Sequence, residues 1–272
     1  MTDQPDRTEN QTMSSTTESP PTYELEHATR SFGNGPTRVL ALDALDLTIK
    51  RGEFVAVFGP SGSGKTTLLQ LLGALDRPTG GSVRFEGQPL ERLGDSALAD
   101  LRLRAMGFVF QQFNLIPTLS AAENVEAALA PLGLPRSERK ATATQHLEAV
   151  GLGPRTHHLP AQLSGGEQQR VAIARALARS PRVVRADEPT GNLDTRNGEM
   201  VMDLLARLHR ELQITLVLVT HDEWIAERAD RDLRLADGRM TGTPASSLAG
   251  EVAPGHAPGR SEQRPPCWAR SP

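Results

Sequence analysis

Residues 54–72 read FVAVFGPSGSGKTTLLQLL, in which a strand pattern, a glycine-rich turn and a helix pattern follow one another. The apolar run Phe54–Phe58 favours a buried strand, and we expect a helix from about Gly64 to Leu72. Residues 59–66 match Gly-x-x-x-x-Gly-Lys-Ser/Thr, a loop whose backbone N–H groups point at phosphate oxygens at a helix N-terminus. The alternative is an ordinary glycine-rich turn with a chance lysine, but the flanking strand and helix argue against it.

The lysine of this loop stands out, because only three of the 30 basic residues are lysines. In such a loop Lys65 reaches the β- and γ-phosphates of a nucleotide, and the Thr66 hydroxyl is a Mg²⁺ ligand. The predicted phosphate-binding residues are Gly59, Pro60, Ser61, Gly62, Ser63, Gly64, Lys65 and Thr66.

Farther along the chain, apolar strand-type runs alternate with helical patterns. Strands are expected around Phe108–Phe110, Val183–Val184 and Ile214–Val219, and helices over 121–130, 137–150, 167–179 and 195–212. In the last helix one side is expected to be apolar, formed by Met200, Leu204, Leu205 and Leu208. Asp237-Gly238 is typical of a hairpin turn. The alternation predicts an α/β fold with a mainly parallel sheet, and the helices between about 112 and 180 indicate an inserted helical subdomain.

An acidic pair and a histidine follow two of these strands. Asp187 and Glu188 come after Val183–Val184, and His221 comes directly after Thr220. Because ligands bind beyond the carboxyl ends of strands in open parallel sheets, we expect all three beside the phosphate loop. Asp187 would then orient Mg²⁺, Glu188 would polarise the attacking water as general base, and His221 would contact the γ-phosphate or that water. Taken alone, His221 could equally be a helix-capping residue.

Composition excludes several classes of protein. The net charge is −3 and the aromatic content is 4%, which gives no signature of polyanion binding or of a base-stacking platform. The longest apolar run, around Leu216–Val219, is far shorter than the roughly 18–20 residues of a membrane span. The single cysteine, Cys267, cannot form an internal disulfide or a metal site by itself. We therefore expect a globular cytoplasmic protein.

Both ends of the chain differ from the middle. Residues 1–22 consist mainly of Ser, Thr, Gln, Asp, Glu and Pro, residues 241–272 are rich in Pro, Gly, Ala and Ser, and neither segment has an apolar period. Such segments cannot bury enough surface to offset chain entropy, so we expect disordered tails. For the second segment, which contains Cys267-Trp268, a docking peptide is the alternative.

A second signature appears at Leu163-Ser164-Gly165-Gly166-Glu167-Gln168. With the phosphate loop before it and Ala186–Thr190 after it, residues 23–240 resemble the ATPases of ATP-binding cassette (ABC) transporters. Segments 107–115 and 188–194 look most like the branch that serves macrolide export, lipoprotein release and cell-division-type permeases. The resemblance implies a P-loop NTPase with a mainly parallel central sheet, an N-terminal antiparallel β subdomain and an inserted helical subdomain.

The resemblance also implies residue roles. Phe32 would stack on adenine, Thr67 would join the nucleotide loop, and Gln111 would touch Mg²⁺ and sense the permease. A D-loop that crosses to a partner subunit would comprise Asn192, Leu193 and Asp194. The signature, which would close over the γ-phosphate held by the opposite protomer, would comprise Leu163, Ser164, Gly165, Gly166, Glu167 and Gln168.

The start of the signature, and Arg185 in the strand before Asp187, can also be interpreted from physical chemistry. Ser164 is a good helix N-cap, and Gly165-Gly166 permits close backbone approach to an anion, although an ordinary capped helix start is the alternative. Arg185 departs from the family, which usually has an apolar residue at this place in a central strand. An unpaired charge there costs several kcal/mol, so Arg185→Leu is predicted to raise the melting temperature unless the side chain is exposed or well paired.

The implied function is ATP binding and hydrolysis, with Mg²⁺, in a transporter subunit that dimerises (as a homodimer or heterodimer) and drives a separate integral membrane permease. It would lie on the cytoplasmic face of the membrane, bind no nucleic acid, and contact the permease through Phe113–Leu119. One alternative is a soluble ABC-superfamily ATPase that acts on nucleic acid or ribosomes. Another is an inactive scaffold, against which Glu188 and His221 argue. Transport direction rests on the resemblance, and macrolide, peptide, lipoprotein and signalling cargoes stay open.

Overall fold

Two β-sheets organise residues 19–241, the part of the chain that this computed structural model describes. The strands are β1 Tyr23–Phe32, β2 Val39–Ile49, β3 Phe54–Phe58, β4 Gly80–Phe85, β5 Gln88–Pro89, β6 Met106–Phe110, β7 Val183–Asp187, β8 Thr215–Thr220, β9 Arg231–Ala236 and β10 Arg239–Met240. The helices are α1 Lys65–Leu72, α2 Asp95–Ala105, α3 Ala121–Leu129, α4 Arg136–Ala149, α5 Gly165–Leu177, α6 Thr195–Leu212 and α7 Glu223–Ala226. The predictions of disorder for residues 1–18 and 242–272 fall outside the described residues.

The larger sheet has the strand order β10-β9-β3-β8-β7-β6. Its strands from β9 to β6 are parallel, and β10 pairs antiparallel with β9 through the Asp237-Gly238 turn. The smaller sheet, β2-β1-β4-β5, is antiparallel. Helices α3, α4 and α5 lie between β6 and β7 in the chain. This architecture confirms the predicted P-loop α/β fold with an N-terminal antiparallel sheet and inserted helices.

The parallel sheet is buried on both faces. In β7, Val184 and Ala186 pack into one apolar cluster with the inserted helices, whereas Val183 packs into the other with α1 and the antiparallel sheet. Arg185 lies on the face of Val183, as strand alternation predicts, and only 3% of it is exposed. The central strands thus place their carboxyl ends together while their middles are fully covered.

Two details differ from the sequence-based expectation. Met200 is 42% exposed and does not belong to the buried side of α6, which is centred on Val201, Leu205 and Leu208. Successive helix positions differ by 100°, so Met200 falls outside the stripe that contains Val201. Thr22, which we expected in the N-terminal tail, is buried, and its hydroxyl lies 2.8 Å from that of Thr215.

Candidate functional site

The phosphate loop runs from the end of β3 to the start of α1, where two positions require glycine. A Cβ on Gly59 would lie 2.0 Å from the carbonyl oxygen of Leu235, and one on Gly64 would lie 2.4 Å from that of Ala41. Gly64 also has a φ of +104°, which side chains other than hydrogen disfavour. The loop is therefore held tightly between β2 and β9, with its backbone curled at the helix N-terminus.

The interior of this loop carries a cation that has no ion pair within the described residues. Lys65 is 8% exposed, and its Nζ donates to the carbonyl oxygens of Gly59 (2.7 Å) and Pro60 (2.8 Å). The buried hydroxyl of Ser63, in the same loop, has no hydrogen-bond partner within the described residues. A buried ammonium beside an unpaired hydroxyl and a helix N-terminus fits a bound phosphate chain.

Asp187, Glu188 and His221 stand where expected, at the carboxyl ends of neighbouring strands. Strand β8 pairs with β3 on one side and β7 on the other, so His221 follows the strand between the phosphate loop and the acidic pair. Its Nδ1 lies 3.1 Å from Glu188 Oε1. Glu188 has a φ of +44°, and its N–H donates to the carbonyl of Val219 at 2.9 Å, which turns the chain sharply off β7.

The side chains at this edge of the sheet fit a divalent cation for which the protein supplies only some of the ligands. Burial, with the neighbouring charge of Glu188, raises the pKa of Asp187, while Lys65 opposes this. Because burial and the charge of Glu188 disfavour the ionised form of Asp187, a bound cation would stabilise its carboxylate. Between residues 19 and 241 no group of three or more His, Cys, Asp or Glu side chains could hold a metal alone. One carboxylate, one hydroxyl and substrate phosphates are the usual ligands of Mg²⁺, which suits Asp187 and Thr66.

The signature segment begins helix α5. Ser164 is its N-cap, and Ser164 with Glu167 forms a complete capping box. The Ser164 hydroxyl accepts from the N–H of Glu167 at 3.3 Å. That bond uses an oxygen lone pair, so the hydroxyl hydrogen can still be donated to an anion. Arg155 Nε lies 3.4 Å from the Glu167 carboxylate and secures the box from the preceding loop.

Close contacts within the same chain explain why the signature contains two glycines. A Cβ on Gly166 would lie 2.7 Å from Oδ1 of Asn197, and one on Gly165 would lie 3.2 Å from Leu193. A Cβ on Gly191 would meet Nε2 of Gln111 at 2.7 Å. The predicted signature, D-loop and Q-loop residues are thus packed against one another, and close approach to an anion is not needed to explain the glycines.

Gln111 and Asn192 join two of these segments directly. The amide of Gln111 donates to the side-chain oxygen of Asn192 at 3.3 Å, and Asn192 Nδ2 donates to the Gln111 carbonyl at 3.0 Å. Asp194 caps α6 through the N–H of Asn197. Phe32, at the far end of β1, is 41% exposed, with the Arg30 guanidinium 4.5 Å from its ring centre.

Two residues of α5 that the sequence analysis missed hold the segment before α3. Gln169 is fully buried, and its Nε2 donates to the carbonyls of Pro189 (2.6 Å) and Phe110 (3.4 Å). Arg175 donates to the carbonyls of Phe113 (2.8 Å) and Asn114. Their distance from these partners in sequence, 20 to 62 residues, left no local pattern by which to find them.

Comparisons with known proteins agree with this geometry. The family model described as "ABC transporter" matches residues 42–191. The lipoprotein-releasing system ATP-binding protein LolD of Geobacter metallireducens is 51% identical over 217 residues, which cover 80% of this chain and 96% of that protein. The macrolide export ATP-binding/permease protein MacB of an Azoarcus species is 49% identical over 245 residues, 90% of this chain but only 37% of that longer protein.

A solved structure extends the likeness. The ATP-binding cassette MJ0796, determined as a dimer in a post-hydrolysis state bound to ADP and Pi, matches with a TM-score of 0.74 and 44% identity. The match covers 80% of this chain and 96% of that one.

Proposed function

Since the chain belongs to the ABC transporter family and is an ATP-binding, ATP-hydrolysing member of it, we propose that it is the ATPase subunit of a transporter whose permease is a separate protein. The observation that carries the proposal is the meeting of Lys65, Asp187, Glu188 and His221 at one edge of the sheet. Among the described residues no helix is long and apolar enough to cross a membrane.

The geometry of the strand ends supports a catalytic role for each of these residues. Lys65 leaves its two carbonyl partners to bind the β- and γ-phosphates, and Glu188 accepts the proton of the attacking water. His221 positions Glu188 through its Nδ1, at 3.1 Å from the carboxylate, and faces the same edge of the sheet. When bound, Mg²⁺ neutralises phosphate charge, and Thr66 and Asp187 would hold it. Gln111 would join that set only by giving up its bond to Asn192.

Nucleotide binding would use both copies of a dimer. Phosphate-loop helix α1 packs on β2, β4, β7 and β8, whereas signature helix α5 packs on α3, α4, α6 and β6. The N-termini of α1 and α5, the two proposed anion-binding positions, therefore lie in different parts of the fold. This arrangement suits a head-to-tail dimer in which Ser164 of one copy faces the nucleotide bound by the other. The related cassette MJ0796 is described as dimeric. Phe32 is exposed enough to stack on the adenine base.

The permease would contact the surface after β6. Residues 113–119 lie within the connection from β6 to α3, and Ile116 among them is 45% exposed. Movement there reaches Gln111 and, through Asn192, the D-loop. The names of the relatives, macrolide export and lipoprotein release, support export or mechanical transmission as the work done.

The test is capture of the partner on membranes. Glu188→Gln protein, loaded with ATP and Mg²⁺, is used as bait on detergent-solubilised native membranes, and bound proteins are identified by mass spectrometry. We expect a multi-span membrane protein that is absent with Lys65→Ala bait, which lacks the phosphate ligand. Recovery of only soluble or nucleic-acid partners with both baits would contradict the proposal.

A further inference from the structure

The aromatic ring of Phe32, at the end of β1, has a cation on one face and uncovered surface beside it. The guanidinium carbon of Arg30 lies 4.5 Å from the ring centre. Phe32 is 41% exposed, and Val39, its partner in register on β2, is 63% exposed. Because the guanidinium occupies only one of the two faces of the ring, the other face is open to a planar ligand.

Arg30 is itself held by a residue that follows the phosphate-loop helix. Its Nε lies 2.7 Å from Oδ2 of Asp76, and the two side chains are only 21% and 23% exposed, so the pair is less screened by solvent than a pair on the open surface. Asp76 lies just after the end of α1, and its N–H donates to the carbonyl of Gln70 in that helix at 3.3 Å. The carboxylate is therefore fixed relative to the helix that begins at Lys65.

The backbone on both sides of Arg30 is joined to the same segment. The N–H of Thr79 donates to the carbonyl of Thr29 at 2.7 Å, and the N–H of Ser31 donates to the hydroxyl of Thr79 at 3.2 Å. The register of β1 against β2 also shifts on both sides of Arg30, and such irregularities change where strand side chains point. Main-chain and side-chain contacts thus attach the end of β1 to the segment after α1.

These contacts relate the two ends of the nucleotide site through one helix, since α1 begins at Lys65 and is followed by Asp76. We propose that Arg30, held by Asp76, is a positioning residue that fixes the ring of Phe32 so that its open face receives the adenine base. The inference deepens the proposed function and rests on the placing of adenine against Phe32 there.

The physical reason is that a ring held in place binds a base more tightly than a free one. A phenylalanine at an exposed strand end has several rotamers, and the fraction of molecules in the binding rotamer sets the apparent affinity. Arg30 raises that fraction before the nucleotide arrives, which removes part of the ordering cost of binding. Because Asp76 balances the charge of Arg30, the effect falls on the base and not on the phosphates.

The experiment compares a ligand that has the base with one that lacks it. Binding of ADP and of pyrophosphate to the full chain is measured by calorimetry in the presence of Mg²⁺. Arg30→Met is expected to weaken ADP binding about three- to tenfold while pyrophosphate affinity changes less than about twofold. The matched control is Arg84→Met, because Arg84 forms an ion pair with Glu26 on the same sheet; it should change neither affinity.

A double-mutant cycle tests whether Arg30 acts through the ring. Phe32→Ala is expected to weaken ADP binding about tenfold or more, and adding Arg30→Met to Phe32→Ala should then have no further effect. If Arg30→Met does not fold, Asp76→Asn, which leaves Arg30 in place but releases it, is compared instead and should also weaken binding of ADP but not of pyrophosphate.

The possible results separate the inference from the function on which it rests. Equal weakening of ADP and pyrophosphate binding, or additive effects in the cycle, would overturn the inference, because Arg30 would then act on the phosphates or independently of the ring. Unchanged ADP affinity in Arg30→Met, with weaker binding in Phe32→Ala, would overturn the inference alone. Unchanged ADP affinity in Phe32→Ala would remove adenine from Phe32 and overturn both.

Discussion

Replacing Arg185 by leucine is expected to stabilise the protein. Arg185 lies in the middle of β7, two residues before Asp187, and donates one N–H to the carbonyl of Leu69 near the end of α1. Its guanidinium stacks 3.9 Å from the ring centre of Phe108, while its Nε and Nη2 have no partner within residues 19–241. Among the described residues, the charge is thus buried against one carbonyl and one ring, and no carboxylate forms an ion pair with it.

The magnitude follows from the balance of these contacts. Burial lowers the pKa of Arg185 from 12.5 to about 10. At about 1.4 kcal/mol for each tenfold change in the proton equilibrium, the folded state disfavours the charged guanidinium by about 3 kcal/mol. Leucine gives up the ring contact and leaves some unfilled space, but the Leu69 carbonyl still accepts from the N–H of Gly73 at 2.9 Å. We expect a net gain of about 1–3 kcal/mol, or about 3–8 °C in melting temperature.

Thermal unfolding followed by circular dichroism tests this. A cation whose folded-state pKa is lowered destabilises the fold at every pH below that pKa, so the gain should be equal at pH 6 and pH 8. Arg210→Leu, at an exposed position of α6, is the matched control and should change stability by less than about 0.5 kcal/mol. An unchanged or lower melting temperature for Arg185→Leu would show that the contacts with Leu69 and Phe108 outweigh the cost of burial.

Three further predictions concern neighbouring features. A Cβ on Gly73 would lie 1.7 Å from Nη1 of Arg185, so Gly73→Ala should cost about 1–3 kcal/mol in urea unfolding, and most of that cost should disappear in the Arg185→Leu background. Because the folded state raises the pKa of Asp187, its carboxylate destabilises the fold once the pH rises above the ordinary pKa of 3.8. Asp187→Asn should therefore raise the melting temperature at pH 7, and the difference from the wild type should shrink as the pH is lowered towards 4. A difference that stays constant with pH would refute this cause. Ser164→Ala breaks the capping box and should lower stability by about 1 kcal/mol, whereas Ser164→Asp should retain most of it; equal losses would mean that the cap contributes nothing.

Much of the fold could be predicted from local patterns. The apolar run before the phosphate loop, the helix patterns and the Asp187-Glu188 strand end depend on nearest neighbours in sequence, and the structure places them together at one sheet edge. The prediction that Met200 lies on the buried side of α6 was wrong. Which of several adjacent helix positions is buried depends on where the core ends, and the pattern of a single helix does not contain that information.

The contacts that join the motifs could not be predicted. The Gly165-Gly166 pair indicates that something comes close, but only the fold shows that Leu193 and Asn197 of the same chain fill that space. Arg175 and Gln169 looked like ordinary polar residues of a helix. Their partners are carbonyl oxygens, which every residue carries, so no residue type in the sequence marks the contact.

The most direct test of the account is ATP turnover by purified wild-type and Glu188→Gln protein, with ATP affinity measured in parallel. The control is Glu199→Gln, which makes the same change from carboxylate to carboxamide at an exposed position of α6. The account predicts that Glu188→Gln lowers turnover about 100-fold or more while ATP affinity stays within a few-fold of wild type, and that Glu199→Gln changes neither. Unchanged turnover in Glu188→Gln would remove Glu188 as the base and contradict the mechanism at its centre.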